Sequence, residues 1–421
     1  MMLTIEKRAV FYRAGSYCPR VKIPTNLGQR GQGRVLPPLP TSRTEPDPSF
    51  NLMRHRRTIA SVLLTVVLML LCLGSGRLLA LVRQNPGNWG LWRIDQPDLR
   101  QARAANQLRY VADGTGVNIY IIDDGVLSSH PEFCCDSQGR SRASSVGAFC
   151  WGATPRTVDP DTSLPYPETV AHDGYDGHGT HNASFAAGDL SGAARNAHVY
   201  ALRVSGSEAG DCTSERAVIN AVTWITHHGQ LPPYGPKPSV VNISFCCYSS
   251  AVWTAIHDSI AAGFVYTLSA DTGGDVETHW GARLPREALV VGGTDDHDNP
   301  IAPMTTAPYG PQLALFAPAK GLCGASLGEG MSSPCGARYS IPEIAVCPQP
   351  CRNPVPGDSF AAPFVAGVAA VYLQQHPSAI PAEVRQAIIS GTAKGKVTNV
   401  GAPPHDSPNQ LLQMVRDGRS Q

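Results

Sequence analysis

Along the chain, short β-branched runs alternate with longer stretches of helical periodicity. VNIYII at 117–122, SVVNI at 239–243, FVYTL at 264–268 and ALVVG at 288–292 read as buried strands. Residues 213–228 place Ala217, Val218, Ala221, Val222 and Ile225 on one helical face, residues 251–262 form another helix, and an apolar helix runs from Ser359 to about Gln375. This alternation predicts an α/β domain with a mostly parallel sheet covered by helices on both faces. Functional residues are then expected beyond the carboxyl ends of the strands. No internal repeat is visible.

Before Trp89 the pattern is different. Residues 1–57, with Pro37, Pro38, Pro40, Pro46 and Pro48 among polar side chains, lack apolar periodicity and read as a disordered tail. Residues 58–76 then run for 19 positions without a charge, close to the roughly 20 that span a bilayer as a helix. Arg54, Arg56 and Arg57 stand just before this run, which keeps the N-terminus on the cytoplasmic side and carries everything after about Val82 across. A buried core helix is the bland alternative. If translation starts at Met53, the same stretch has the charged start and apolar middle of a cleavable signal peptide. The expected organisation is therefore a basic tail over 1–57, a signal-anchor or signal peptide over 58–82, and one domain over 88–416. The protein is placed in the secretory pathway, as a single-pass type II membrane protein held through residues 58–82 or as a secreted one.

Composition sharpens this picture. The chain has 421 residues, 42% of them hydrophobic, enough for a large core. Its 34 basic and 33 acidic side chains nearly balance, so no nucleic-acid partner is indicated. The balance conceals a tail of net +8 joined to a remainder of −7. Two of the 12 cysteines, Cys18 and Cys72, lie in the tail and the apolar run, leaving an even number beyond it. Disulfides are favoured over zinc, because Cys323, Cys335, Cys347 and Cys351 lack close CxxC spacing; connectivity stays open.

Three places carry candidate chemistry. Asp123 follows a strand directly and precedes Asp124 and Gly125, where a turn-forming Asp-Gly is the ordinary reading. His178 and His181 lie in DGHGTHNAS, with no partner at a familiar metal spacing. Ser359 follows Gly357 at the start of an apolar helix, where a serine is commonly an N-cap. There its hydroxyl also lies near backbone N–H groups able to stabilise an oxyanion. An acid, a histidine and a serine, each beside glycine and each at a junction of elements, together fit the requirements of an activated serine nucleophile.

These stretches resemble the three signature boxes of subtilisin-like serine peptidases, in family order: IIDDG at 121–125, HGTH at 178–181 and GDSFAAP at 357–363. WGLWRI at 89–94 is similar to the start of the mature domain in the proteinase K-like branch, and SHPEF, VVNIS, VAGVAA and SPNQLL also follow in order. The resemblance implies a subtilisin-like three-layer sandwich and a serine endopeptidase acting on polypeptide in extended conformation. It assigns Asp123 to orient the imidazole, His178 to act as general base and acid, and Ser359 to attack the carbonyl, with no cofactor. His181 becomes a packed, hydrogen-bonded neighbour.

Departures from the family pattern matter as much. The oxyanion asparagine falls on Thr272, with Asp271 before it, so the oxyanion site is assigned to Thr272 and the Ser359 backbone N–H; this predicts slow turnover. The stretch whose backbone pairs with substrate reads Ser244, Phe245 and Cys246, with a side chain in place of glycine. Asp124 and Asp358 add charge near the triad and are expected to raise the pKa of His178. FAPAKG at 316–321 lacks the carboxylate of a common calcium site, so no metal is assigned. The resemblance implies a folding prosegment of many tens of residues, yet only about a dozen separate the apolar run from Trp89, so either the start of the sequence is incomplete or folding is assisted otherwise. Residues 134–176 are expected to form an inserted surface loop. A catalytically impaired binding protein of the same fold is the alternative function.

Overall fold

The structure, a computed structural model, describes residues 82–84, 88–128, 130–134, 136, 138–149, 177–204, 215–244, 249–270, 276, 284–301, 308–325, 357–398, 400 and 407–416. The tail, the apolar run over 58–76, Phe245, Cys246, Asp271 and Thr272 lie outside these residues. The chain divides at Val82 into two units, and the described elements belong to the second.

That unit starts earlier than Trp89. A short strand, β1 (Val82–Gln84), pairs antiparallel with β2 (Leu108–Tyr110) around helices α1 (Trp89–Asp95) and α2 (Leu99–Ala105). Val82 therefore belongs to a strand of this unit. Asn88 and Asp98 cap the two helices, each accepting a backbone N–H in the first turn.

The chain then builds the main sheet from β3 (Asn118–Asp123), β4 (Ala143–Ala148), β5 (His198–Arg203), β6 (Ser239–Ile243), β7 (Val265–Ser269), β8 (Leu289–Thr294), β9 (Leu315–Pro318), β10 (Ala393–Lys394) and β11 (Gln410–Leu411). Their order is β10-β11-β9-β8-β7-β6-β3-β5-β4, and every pairing is parallel except that of β10 with β11. Part of the expected inserted loop over 134–176 is thus sheet: residues 143–148 form the edge strand β4. Cys134 is disulfide-bonded.

Alternation along β3 explains the layers. Ile119 and Ile121 belong to one apolar cluster, and Tyr120 and Ile122 to the other. The first cluster takes in α3 (His178–Ala187) and α6 (Ala361–Gln375) through Ala183, Phe185, Phe364 and Val365. The second takes in α4 (Glu215–His228) and α5 (Ser250–Ala261) through Ala217, Val222, Val252 and Ile256. A further helix, α7 (Pro381–Gly391), adds Val384 and Ile388 to the first cluster. The result is an α/β sandwich of helices, mostly parallel sheet and helices.

Because the chain builds outward from β3 first toward β5 and then toward β6, the strand order reverses at β3. In open parallel sheets, residues at the carboxyl ends beside such a reversal line a crevice. Asp123 ends β3, and Ser244 follows the end of β6, whose Ile243 pairs with Ile122.

Candidate active site

Asp123 is buried at the end of β3, and its Oδ1 lies 2.8 Å from His178 Nδ1. His178 opens α3. Gly177 before it has φ +75°, a left-handed conformation that favours glycine and turns the chain into the helix at that point. Close approach explains Gly179: a Cβ there would stand 2.1 Å from the Gly125 carbonyl oxygen and 2.8 Å from Asp124 Oδ1. With glycine present, its N–H instead donates to Asp124 Oδ1 at 2.7 Å. The first turn of α3 is thereby drawn onto the end of β3.

The electrostatics follow from burial and contact. Burial works to raise the Asp123 pKa, but the His178 charge and hydrogen bond, the Asp124 N–H and the Asn182 amide outweigh it and leave it below the ordinary value. An ionised carboxylate only accepts hydrogen bonds, so His178 Nδ1 carries the proton. Burial disfavours the charged form of His178, yet Asp123, through its charge and hydrogen bond, and then the charge of Asp124, raise its pKa above the usual value. Asp124 itself is pushed up to about 8, by burial first and then by the charge of Asp123.

Ser359 sits in a 3-10 turn (Asp358–Phe360) leading into α6, rather than at the start of the α-helix. Phe360 occupies the N-cap position of α6, which has no side-chain cap bond, so Ser359 is not capping it. The Ser359 hydroxyl donates to the Ser244 carbonyl at 2.8 Å, and Ser244 Oγ donates to the Ser359 carbonyl at 2.8 Å. The turn is brought to His178 through Phe360, whose ring centroid lies 5.8 Å from that of the imidazole.

Asp358, expected to add charge near the imidazole, is buried and accepts the Gly293 N–H on β8. His181 Nδ1 donates to the Ala325 carbonyl at 2.8 Å and its ring packs edge-on against Phe185 and Phe360. Burial, with a smaller effect from the His178 charge, lowers its pKa to about 4, so it stays neutral beside His178. Asn182 also belongs to this site although its chemistry did not single it out. Its position four residues after His178 on a helix is the signal that could have found it. Among the described residues, Asp295, Asp296 and His297 have donor atoms within 4.8 Å of one another, but Asp295 accepts backbone N–H groups of its own turn and Asp296 pairs with Arg103 and His297.

With this geometry in place, comparison is informative. Residues 114–407 match the sequence profile of the subtilase family, Peptidase_S8. The chain belongs to the subtilase family. Within it, the extracellular serine proteinase of Thermus sp. (strain Rt41A) is 30% identical over 333 residues, 78% of this chain and 66% of that protein. Alkaline serine exoprotease A of Vibrio alginolyticus is 30% identical over 330 residues, 78% of this chain and 50% of that protein. A subtilisin-like serine protease of Penicillium citrinum, Pen c 2, is 27% identical over 344 residues, 77% of this chain and 64% of its own. The chain therefore spans about half to about two thirds of these subtilases. A solved cold-adapted subtilisin-like serine proteinase superposes with a TM-score of 0.58 at 26% identity, covering 79% of this chain and all of the other.

Proposed function

We propose that this subtilase is a serine endopeptidase that hydrolyses polypeptide through an acyl-enzyme. The observation that carries this reading is the 2.8 Å bond between buried Asp123 and His178, at a site where the Ser359 turn packs on the same imidazole. In the proposed reaction, Ser359 Oγ leaves the Ser244 carbonyl and passes its proton to His178 as it attacks the scissile carbonyl. Asp123 stabilises the imidazolium without taking a proton. His178 then protonates the leaving amine, and water releases the acyl group by the reverse sequence.

The Ser359 N–H and the hydroxyl of Thr272 are proposed as oxyanion donors. With a hydroxyl in place of the family's amide, slow turnover is expected, since loss of one such donor costs about 10² to 10³ in kcat. Ser244, Phe245 and Cys246 are proposed to flank an extended substrate strand. Extracellular relatives support action outside the cytosol. The apolar run over 58–76 is proposed as the segment that delivers the domain there, retained as a type II anchor or removed.

A fluorophosphonate probe tests the reading directly. Labelling of the wild type that disappears in Ser359→Ala is the expected result. Well-folded wild type that takes no label makes the protein a binding module of this fold, a reading favoured by the engagement of the Ser359 hydroxyl with Ser244.

A further inference from the structure

Asn182 stands one turn after His178 on α3, so the two side chains share a helix face. Its amide nitrogen donates to Asp123 Oδ2 at 3.0 Å, while His178 Nδ1 uses Oδ1 at 2.8 Å. The same nitrogen lies 3.2 Å from His178 Nδ1. Asn182 is fully buried, and among the described residues its Oδ1 has no hydrogen-bond partner. A buried amide oxygen without a donor is destabilising, and leucine, close to asparagine in shape, would remove that penalty. Packing therefore does not account for an asparagine here; its N–H on the carboxylate does.

We infer that Asn182 is a positioning residue: it pins the second oxygen of Asp123, fixing the plane in which the carboxylate meets His178 and drawing off part of its negative charge. The kinetic consequence rests on the proposed peptidase reading, whereas the effect on the imidazole does not. With less charge facing it, His178 is a weaker base than Asp123 alone would make it. Among the described residues, the other titratable groups that act on the ring are Asp124, just after β3, and His181, from the same helix, and neither is altered by changing Asn182.

Asn182→Leu deletes the donor and the unpartnered oxygen together. The expected result is a loss of about tenfold in kcat with KM unchanged. The acidic limb of the kcat/KM profile should move to higher pH, and so should the titration of the low-field NMR resonance of the proton shared by Asp123 and His178. Asn182→Ser, which keeps a shorter-reaching donor, should fall between the two. A leucine variant whose limb and resonance titrate as in the wild type overturns the inference, whatever its melting temperature. If that variant does not fold, Asn182→Ala removes the same donor and is read by the same two measurements. Absence of turnover and labelling in the wild type would defeat the peptidase reading instead, and the resonance, which needs no turnover, would still decide the role of Asn182.

Discussion

Ser359 and Ser244 hold each other through a reciprocal pair of hydrogen bonds, hydroxyl to carbonyl in both directions, each 2.8 Å long. The pair ends a buried polar chain: Thr267 donates to Asn242 Oδ1 at 3.0 Å, and Asn242 donates to Ser244 Oγ at 2.8 Å. Two neighbouring strands, β6 and β7, thus fix the turn that carries Ser359. A buried network of this kind specifies one arrangement when its members are satisfied.

Ser244→Ala breaks that chain at its last link. The Ser359 carbonyl loses a donor and the Asn242 amide loses an acceptor. A loss of about 1–3 kcal/mol in unfolding free energy is expected, together with slower fluorophosphonate labelling as the turn loosens. Urea unfolding and the labelling rate check this. A variant with wild-type values of both would show that Ser244 does not position Ser359.

The central strands are legible because a strand buried on both faces carries a continuous apolar centre, as IYII in β3 and VV in β6 show. β4 is not. ASSVGA has small and polar residues, adequate for an edge strand with a bulge between Ser145 and Gly147 but without an apolar run. The Asp123–His178 pair was readable because its glycines mark the tight junction that joins β3 to α3. Asn182 escaped notice because a lone asparagine in a helix carries no motif; only coordinates reveal that it faces a carboxylate. The sequence pattern opens the α-helix at Ser359, two residues before Ala361, because the apolar periodicity of α6 does not distinguish its leading 3-10 turn.

The N-terminal and later parts of the domain are tied by a buried ion pair. Arg93 on α1 is fully buried and its guanidinium meets Asp298 at 2.7 and 2.9 Å. Removing one member of such a pair leaves the other charge buried and alone, which costs about 3–5 kcal/mol. Arg93→Met should lower unfolding free energy by that order, whereas Arg93→Met with Asp298→Asn should recover part of it. A double variant no more stable than the single one would mean that Arg93 acts through packing rather than through charge.

Acid sensitivity follows from three histidines. Burial lowers His130, His181 and His198 to about 4. Their folded values lie below the ordinary 6.5, so each contributes stability that is present above 6.5 and lost as pH falls toward 4. His130 is the cleanest test: its Nδ1 accepts the Glu132 N–H at 3.1 Å and, among the described residues, its Nε2 has no hydrogen-bond partner. Asparagine can supply the acceptor without gaining a proton. His130→Asn is therefore expected to lose less stability between pH 6.5 and 4 than the wild type, measured by denaturant unfolding across that range. Parallel curves for the two proteins would remove His130 from the acid response.

Asp124 acts at the opposite end of the pH scale. Burial, then the charge of Asp123, push its pKa from 3.8 to about 8, against the opposing pull of His178 and the Gly179 N–H. The folded state therefore holds a proton that the unfolded chain releases near 3.8, and the stability linked to it is complete below that value and lost as pH rises through about 8. The same ionisation places a second carboxylate beside His178 and favours its charged form, which withholds the base just as the solution becomes alkaline. Asp124→Asn keeps an oxygen for the Gly179 N–H but cannot ionise. Its melting temperature should exceed that of the wild type by a margin that grows from pH 5 to pH 9, and the acidic limb of its kcat/KM profile should lie at lower pH and be steeper. A limb unmoved by the substitution would mean that the charge of Asp124 does not reach the imidazole, leaving Asp123 and Asn182 to set its basicity.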